Sequence, residues 1–288
     1  MPGERGFLCL ARRDGKHKSL RFNMMRKLFT QSSGSGPDLV LIHGWGLHGG
    51  VWESVVPLLE PHFRVLRVDL PGHGGSDWSN EKTLDEMAGS VLAVAPAAAA
   101  WLGWSLGGLV ATRAALLAPA RVRALLLLAS TPCFMRRSDW QCAMQPELLD
   151  TFAADLQQDY LRTLNRFLAL QVRGSDNGGT VLRMLRNQLL AKGVPSQDAL
   201  QAGLDILRNT DLRGEVGKLA CPVLLVTGQR DTLVPVAAAG AVADLMPNAA
   251  VELIAGAGHA PFIAMPRAVA GLVSSFLQPQ EVIGDAHA

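Results

Sequence analysis

Cysteine is scarce and unpatterned in this chain. Cys9, Cys133, Cys142 and Cys221 form no C-x-x-C pair and lie at no metal-like spacing from a histidine. That excludes a disulfide framework and a structural zinc site, and predicts reduced thiols in a reducing, cytoplasmic setting. An excess of either charge is missing too: 27 Lys and Arg stand against 25 Asp and Glu, a net charge of +2. A dedicated nucleic-acid binder usually carries a strong basic surplus, so that class is disfavoured. No internal repeat is visible, and nothing indicates a cofactor or a metal. The longest uncharged stretch, Met87–Thr112, has the length of a membrane span but contains Pro96, several glycines and a weakly apolar alanine run. It reads as a helix end, a loop, a buried strand and another helix, with no part in a membrane.

What is present is a large apolar fraction, 49% of 288 residues against 18% charged, enough for a sizeable core. The first residues differ from the rest. Arg5, Arg12, Arg13, Lys16, Lys18, Arg21, Arg26 and Lys27 face only Glu4 and Asp14, and the apolar patch Phe7–Ala11 is too short for a signal peptide. Residues 1–27 are therefore expected to be a basic, disordered extension, or the product of a start codon upstream of Met24 or Met25. Residues 279–288 are expected to be a tail.

Between these ends, short apolar runs alternate with helix-like segments, the signature of a mostly parallel sheet flanked by helices. The runs are Leu39–Ile42, Val65–Val68, Ala100–Leu102, Ala124–Leu128, Val223–Val226 and Val251–Ile254. Helices are predicted near Glu53–Leu59, Leu84–Val94, Leu106–Leu117, Val236–Leu245 and Pro266–Leu277. The alternation stops over 133–217, which is helical in pattern: Leu148–Leu156, Tyr160–Leu170 and Val181–Leu190. Residues 28–132 and 218–278 thus read as one α/β core, and 133–217 as a helical lid above the C-terminal ends of its strands, where ligands bind in open sheets.

Gly103-Trp104-Ser105-Leu106-Gly107-Gly108 places a serine between an apolar run and an amphipathic helix, the strand-to-helix turn that lifts a nucleophilic hydroxyl clear of a sheet. A serine hydroxyl needs a base, and His259 follows the last strand after Gly256-Ala257-Gly258. A lone loop histidine is usually a surface residue, but chain order favours this one over the other six. A carboxylate must hold that imidazole, and Asp231 comes directly after the Val223–Val226 run. Asp205 and Asp211 are the rivals, both within the helical region. Oxyanion donors are expected from the backbone N–H groups of Leu106 and of Trp45 in His43-Gly44-Trp45-Gly46. Asp69, in Asp69-Leu70-Pro71-Gly72-His73-Gly74-Gly75-Ser76, is expected to be structural.

These motifs together resemble the α/β-hydrolase superfamily over about residues 28–278. More narrowly, the run Trp101–Ala111 and the lid residues Arg162-Thr163 and Arg166-Phe167-Leu168-Ala169-Leu170-Gln171 resemble the pimeloyl-[acyl-carrier protein] methyl ester esterases of biotin synthesis. The resemblance implies an α/β-hydrolase fold and a serine carboxylesterase that frees methanol from a pimeloyl methyl ester carried on acyl carrier protein. It implies docking of that carrier by Arg162, Arg166 and Arg183. A fourth basic position falls near Gly179, for which Arg186 can substitute. Trp45, Ser105, Leu106, Phe167, Leu168, Leu170 and His259 are expected to bind substrate, in a protein acting as a monomer. Read without the resemblance, the arginines are an ordinary solvated face, with Asp155 and Asp159 in pairing range. A general short-chain carboxylesterase, a C–C bond hydrolase and a non-catalytic ligand-binding member remain as alternatives.

Overall fold

The computed structural model describes residues 28–278; the expected basic extension, the tail and Cys9 lie outside them. Seven strands form one sheet: β1 (Thr30–Ser33), β2 (Asp38–Ile42), β3 (Arg64–Val68), β4 (Ala99–Trp104), β5 (Val122–Leu128), β6 (Val223–Gly228) and β7 (Ala249–Ile254). Their order across the sheet is β1-β3-β2-β4-β5-β6-β7, parallel throughout except for β1, which runs antiparallel to β3. The six apolar runs are all strands. The polar β1, Thr-Gln-Ser-Ser, offers no apolar run to read and is positioned by its pairing with β3.

The central strands read as nearly unbroken apolar runs because helices cover both faces; every residue of β4 and β6 is buried. Around the sheet lie α1 (Val56–Leu59), α2 (Leu84–Val94), α3 (Leu106–Leu117), α8 (Val236–Ala243), α9 (Pro261–Ala264) and α10 (Pro266–Leu277). Helix α2 starts on a capping box, in which the Thr83 hydroxyl accepts from the Glu86 N–H while the Glu86 carboxylate accepts from the Thr83 N–H. The helix predicted over 53–59 is instead a 3-10 turn, Gly49–Ser54, followed by the single turn α1. His48 caps the 3-10 turn by accepting from the Gly50 N–H.

The helical insertion lies between β5 and β6 and contains α4 (Pro146–Gln158), α5 (Tyr160–Gln171), α6 (Gly178–Ala191) and α7 (Gln197–Asn209), with no strand. The first three were predicted. Helix α7, which was not, buries Ala199, Leu200, Gly203, Leu204 and Leu207 on one face. The stretch 87–112 is the end of α2, a loop, β4 and the start of α3, as its glycines and Pro96 suggest. Among the described residues no helix is long and apolar enough to cross a membrane, and Cys133, Cys142 and Cys221 are unpaired thiols.

Candidate active site

The strand order reverses between β2 and β4, where one connection leads to β3 and the other to β5. A crevice opens at such a point beyond the carboxyl ends of the strands. Ser105 sits there, directly after β4. Its backbone is at φ 55°, ψ −119°, a conformation that L residues avoid and that holds only where the surroundings impose it. The surroundings do so. The Ser105 N–H donates to the Leu128 carbonyl (3.0 Å), and its own carbonyl accepts from the Gly108 N–H (2.9 Å) and the Ser130 hydroxyl (2.8 Å). Side chains at the flanking glycines would forbid the turn. A Cβ on Gly103 would lie 2.3 Å from the Gly107 carbonyl oxygen, and one on Gly107 would lie 2.3 Å from that of Ile42.

The predicted partners converge on this serine from far along the chain. His259 Nε2 is 2.9 Å from Ser105 Oγ, and His259 Nδ1 is 2.8 Å from Asp231 Oδ2. The other carboxylate oxygen, Oδ1, accepts from the N–H groups of Leu233 (2.8 Å) and Val234 (2.9 Å). With Oδ1 occupied by two donors, Oδ2 is left to accept from Nδ1–H, so Nε2 carries the lone pair that faces the serine. All three side chains are buried; Ser105 is 4% exposed. The rival carboxylates lie elsewhere: Asp211 pairs with Arg213 and Arg137, and Asp205 accepts from Gln201.

His259 is also held through its backbone, by residues that sequence reasoning missed. Its N–H donates to the Gln171 carbonyl at the end of α5 (2.9 Å), and its carbonyl accepts from the Trp104 indole N–H (2.7 Å). Trp104 is the variable residue before the serine, and Gln171 closes the insertion run; their types and places carried a signal, but their direction in space did not.

Leu106 follows the serine directly, and both it and Trp45 are buried. Neither backbone N–H donates to an acceptor among the described residues, and Leu106 opens α3, where helix N–H groups favour negative charge. The Trp45 indole N–H donates to the Leu200 carbonyl on α7 (2.8 Å), and its ring meets Phe167 of α5 edge-on at 4.9 Å. Leu168 is buried, and Leu170 is half-buried.

A second polar cluster supports the loops that carry these groups. Asp69 is buried and accepts from the N–H groups of Gly49 (2.6 Å) and Gly75 (2.9 Å) and from Lys192 Nζ (3.2 Å), the structural part expected of it. His43 accepts from the Leu70 N–H at Nε2 (2.9 Å), so its Nδ1–H donates to the Gly44 carbonyl (2.8 Å). Burial, with His73 nearby, pushes the His43 pKa down to about 3; burial pushes that of His73 down to about 4. Both rings are therefore neutral struts at ordinary pH. No cluster of His, Cys, Asp or Glu among the described residues has the geometry to hold a metal ion.

Arg162 and Arg166 lie exposed on α5, Arg183 and Arg186 exposed on α6. Arg166 pairs with Asp155, as its sequence neighbourhood suggested, whereas the Asp159 carboxylate caps α5 by accepting from the Arg162 backbone N–H. The other three guanidinium groups make no ion pair among the described residues.

The sequence family described as "alpha/beta hydrolase fold" matches residues 37–266. A pimeloyl-[acyl-carrier protein] methyl ester esterase of Nitrosomonas europaea is 46% identical over 84% of this chain and 96% of its own length. One from Xanthomonas axonopodis pv. citri is 50% identical over 80% of this chain and 90% of its own. Among solved structures, an esterase from Exiguobacterium antarcticum superposes with a TM-score of 0.79 at 22% identity, covering 86% of this chain and 94% of that one, a likeness of fold. On the matched span, the sheet order and the identity to these relatives, the chain belongs to the alpha/beta hydrolase fold family, alongside the pimeloyl-[acyl-carrier protein] methyl ester esterases.

Proposed function

We propose that this chain hydrolyses the methyl ester of a pimeloyl group carried on acyl carrier protein, releasing methanol and the free carboxylate, as a step of biotin synthesis. The observation that carries the chemistry is the unbroken hydrogen-bonded line from Ser105 through His259 to Asp231. The substrate rests on the relatives, which are 46–50% identical over nearly their whole length. Ser105 attacks the ester carbonyl while His259 Nε2 takes its proton, and Asp231 stabilises the imidazolium. The oxygen that becomes negative is received by the Trp45 and Leu106 N–H groups. His259 then protonates the departing methoxide. Water repeats the sequence on the acyl-serine and frees the acid.

The insertion serves as a lid. Trp45, Leu106, Phe167, Leu168 and Leu170 supply apolar surface for the methylene chain, each buried methylene contributing about 0.8 kcal/mol. Arg162, Arg166, Arg183 and Arg186 form the basic face for the acidic carrier, and the enzyme works as a cytoplasmic monomer without cofactor. The test is turnover of the carrier-bound methyl ester, followed by mass spectrometry as loss of one methylene from the acyl group, together with rescue of a biotin auxotroph lacking this esterase. Wild type should succeed in both and Ser105→Ala in neither. Hydrolysis of p-nitrophenyl esters without turnover of the carrier-bound ester would make this a general carboxylesterase. Labelling of Ser105 by a fluorophosphonate with no turnover at all would make it a ligand-binding member.

A further inference from the structure

Glycine is among the least favourable residues inside a helix, yet α7 carries Gly203 in its interior, on the face turned to the core. What fills the place of its missing side chain is the oxyanion loop. A Cβ at 203 would lie 2.5 Å from Trp45 Cδ1, 3.0 Å from Trp45 Nε1 and 3.4 Å from Leu106 Cδ2. One turn earlier on the same face, the Leu200 carbonyl accepts the Trp45 indole N–H at 2.8 Å. Helix α5 meets the same loop. Phe167 meets the indole edge-on, and Leu164 Cδ2 lies 2.7 Å from where a Cβ on Gly46 would stand. The next residue after Trp45 is thus pressed by the insertion as well, at a backbone φ of +76°.

We propose that Gly203 is a positioning residue for the oxyanion hole: its bare Cα lets α7 seat the Trp45 indole, and through it the Trp45 backbone N–H that receives the oxyanion. This rests on the reading of that N–H group given above. It assigns the insertion a part in the chemical step that is separate from covering the substrate. The side chain that Gly203 admits belongs to one of the two proposed donors, and a methyl group there must displace it, because Trp45 Cδ1 would lie 2.5 Å away while Leu106 stays at ordinary contact distance.

The test is a double-variant cycle between Gly203→Ala and Trp45→Ala, read with a p-nitrophenyl ester and with an aryl trifluoromethyl ketone that forms an oxyanion on the serine. Removing a whole oxyanion donor costs 10²–10³ in kcat elsewhere, so displacing one should lower kcat about tenfold or more. KM should stay within about twofold, because ground-state binding is not what the donors supply. The ketone's inhibition constant should rise by the same factor as kcat/KM falls. The melting temperature should hold within about 3 °C, since the added methyl improves helix propensity. In the Trp45→Ala background the same Gly203→Ala change should cost less than about twofold, because the indole it collides with is gone.

A Gly203→Ala enzyme with wild-type kcat overturns the assignment. So does an equal loss in both backgrounds, or a loss of activity that merely tracks a large fall in melting temperature. A wild-type enzyme that binds the ketone no tighter than the matching alcohol would instead sink the oxyanion reading itself. Tight wild-type binding left unchanged by Gly203→Ala sinks only the role of Gly203.

Discussion

Asp231→Asn exchanges one carboxylate oxygen for an NH2 group and should nearly abolish turnover, for a reason visible in the carboxylate's surroundings. Oδ1 accepts two backbone N–H groups, from Leu233 and Val234, while Oδ2 accepts from His259 Nδ1. An asparagine must keep its carbonyl oxygen on the two N–H donors, because turning its NH2 group toward them would set donor against donor in a buried site. The NH2 group therefore faces His259 Nδ1, which can only accept from it. The ring's proton is driven to Nε2, pointing at Ser105 Oγ 2.9 Å away, where a lone pair is needed. The serine then has no base. In a comparable triad this tautomer error costs about 10,000-fold in kcat, or about 5.5 kcal/mol of barrier. Steady-state hydrolysis of a p-nitrophenyl ester and the rate of Ser105 labelling by a fluorophosphonate should both fall by that order, with KM little changed. A melting curve close to wild type would show that the isosteric side chain still fits. An Asp231→Asn enzyme within about tenfold of wild type would refute the argument, since the imidazole would then be working without a carboxylate to hold its tautomer.

Other consequences can be measured alongside it. Ser130→Ala removes one hydrogen bond from the strained Ser105 peptide and, at about 1 kcal/mol, should lower kcat about fivefold with KM unchanged; Ser130→Thr, which keeps the hydroxyl, should recover most of it. Charge reversal of Arg162 and Arg166 to glutamate should raise KM for the carrier-bound ester while sparing small p-nitrophenyl esters. Equal losses on both would mark the arginines as structural. Stability should fall on acidification. His43 and His73 have folded pKa values of about 3 and 4, below the ordinary 6.5, so the unfolded chain takes up protons first. Their contribution is complete above pH 6.5 and drains away as pH drops toward 4. From pH 7 to pH 5 the loss is about 3–4 kcal/mol for the pair. Urea midpoints at the two pH values should show it, and His73→Gln should remove about half.

Much of the candidate site was legible because its parts obey chain order. The strand-to-helix turn around Ser105, the proposed acid after β6 and the proposed base after β7 are each announced by an apolar run and the loop that follows it. The runs themselves were readable because buried parallel strands have no polar side to interrupt them. What stayed hidden depends on approach in space. Strand β1 is polar and exists through its partner β3. Gln171 and Trp104 act on His259 across 88 and 155 residues of chain. Gly203 looks like a weakness in a helix until the indole of Trp45 is set beside it. The 3-10 turn after His48 defeated the helix prediction because a side-chain cap, rather than periodicity, decides it.

The insertion leaves and rejoins the core at one spot, where the Leu212 N–H donates to the Pro132 carbonyl and Arg213 bonds Asp139 across the neck. Such a pinched neck lets the whole excursion lengthen, shorten or change its outer residues while the sheet keeps its register. Its inner surface has no such licence: Gln171 backs the histidine and Leu200 holds the indole. Substitutions on the outer face of the insertion are therefore tolerated by the fold, whereas those on its underside reach the residues that hold His259 and Trp45.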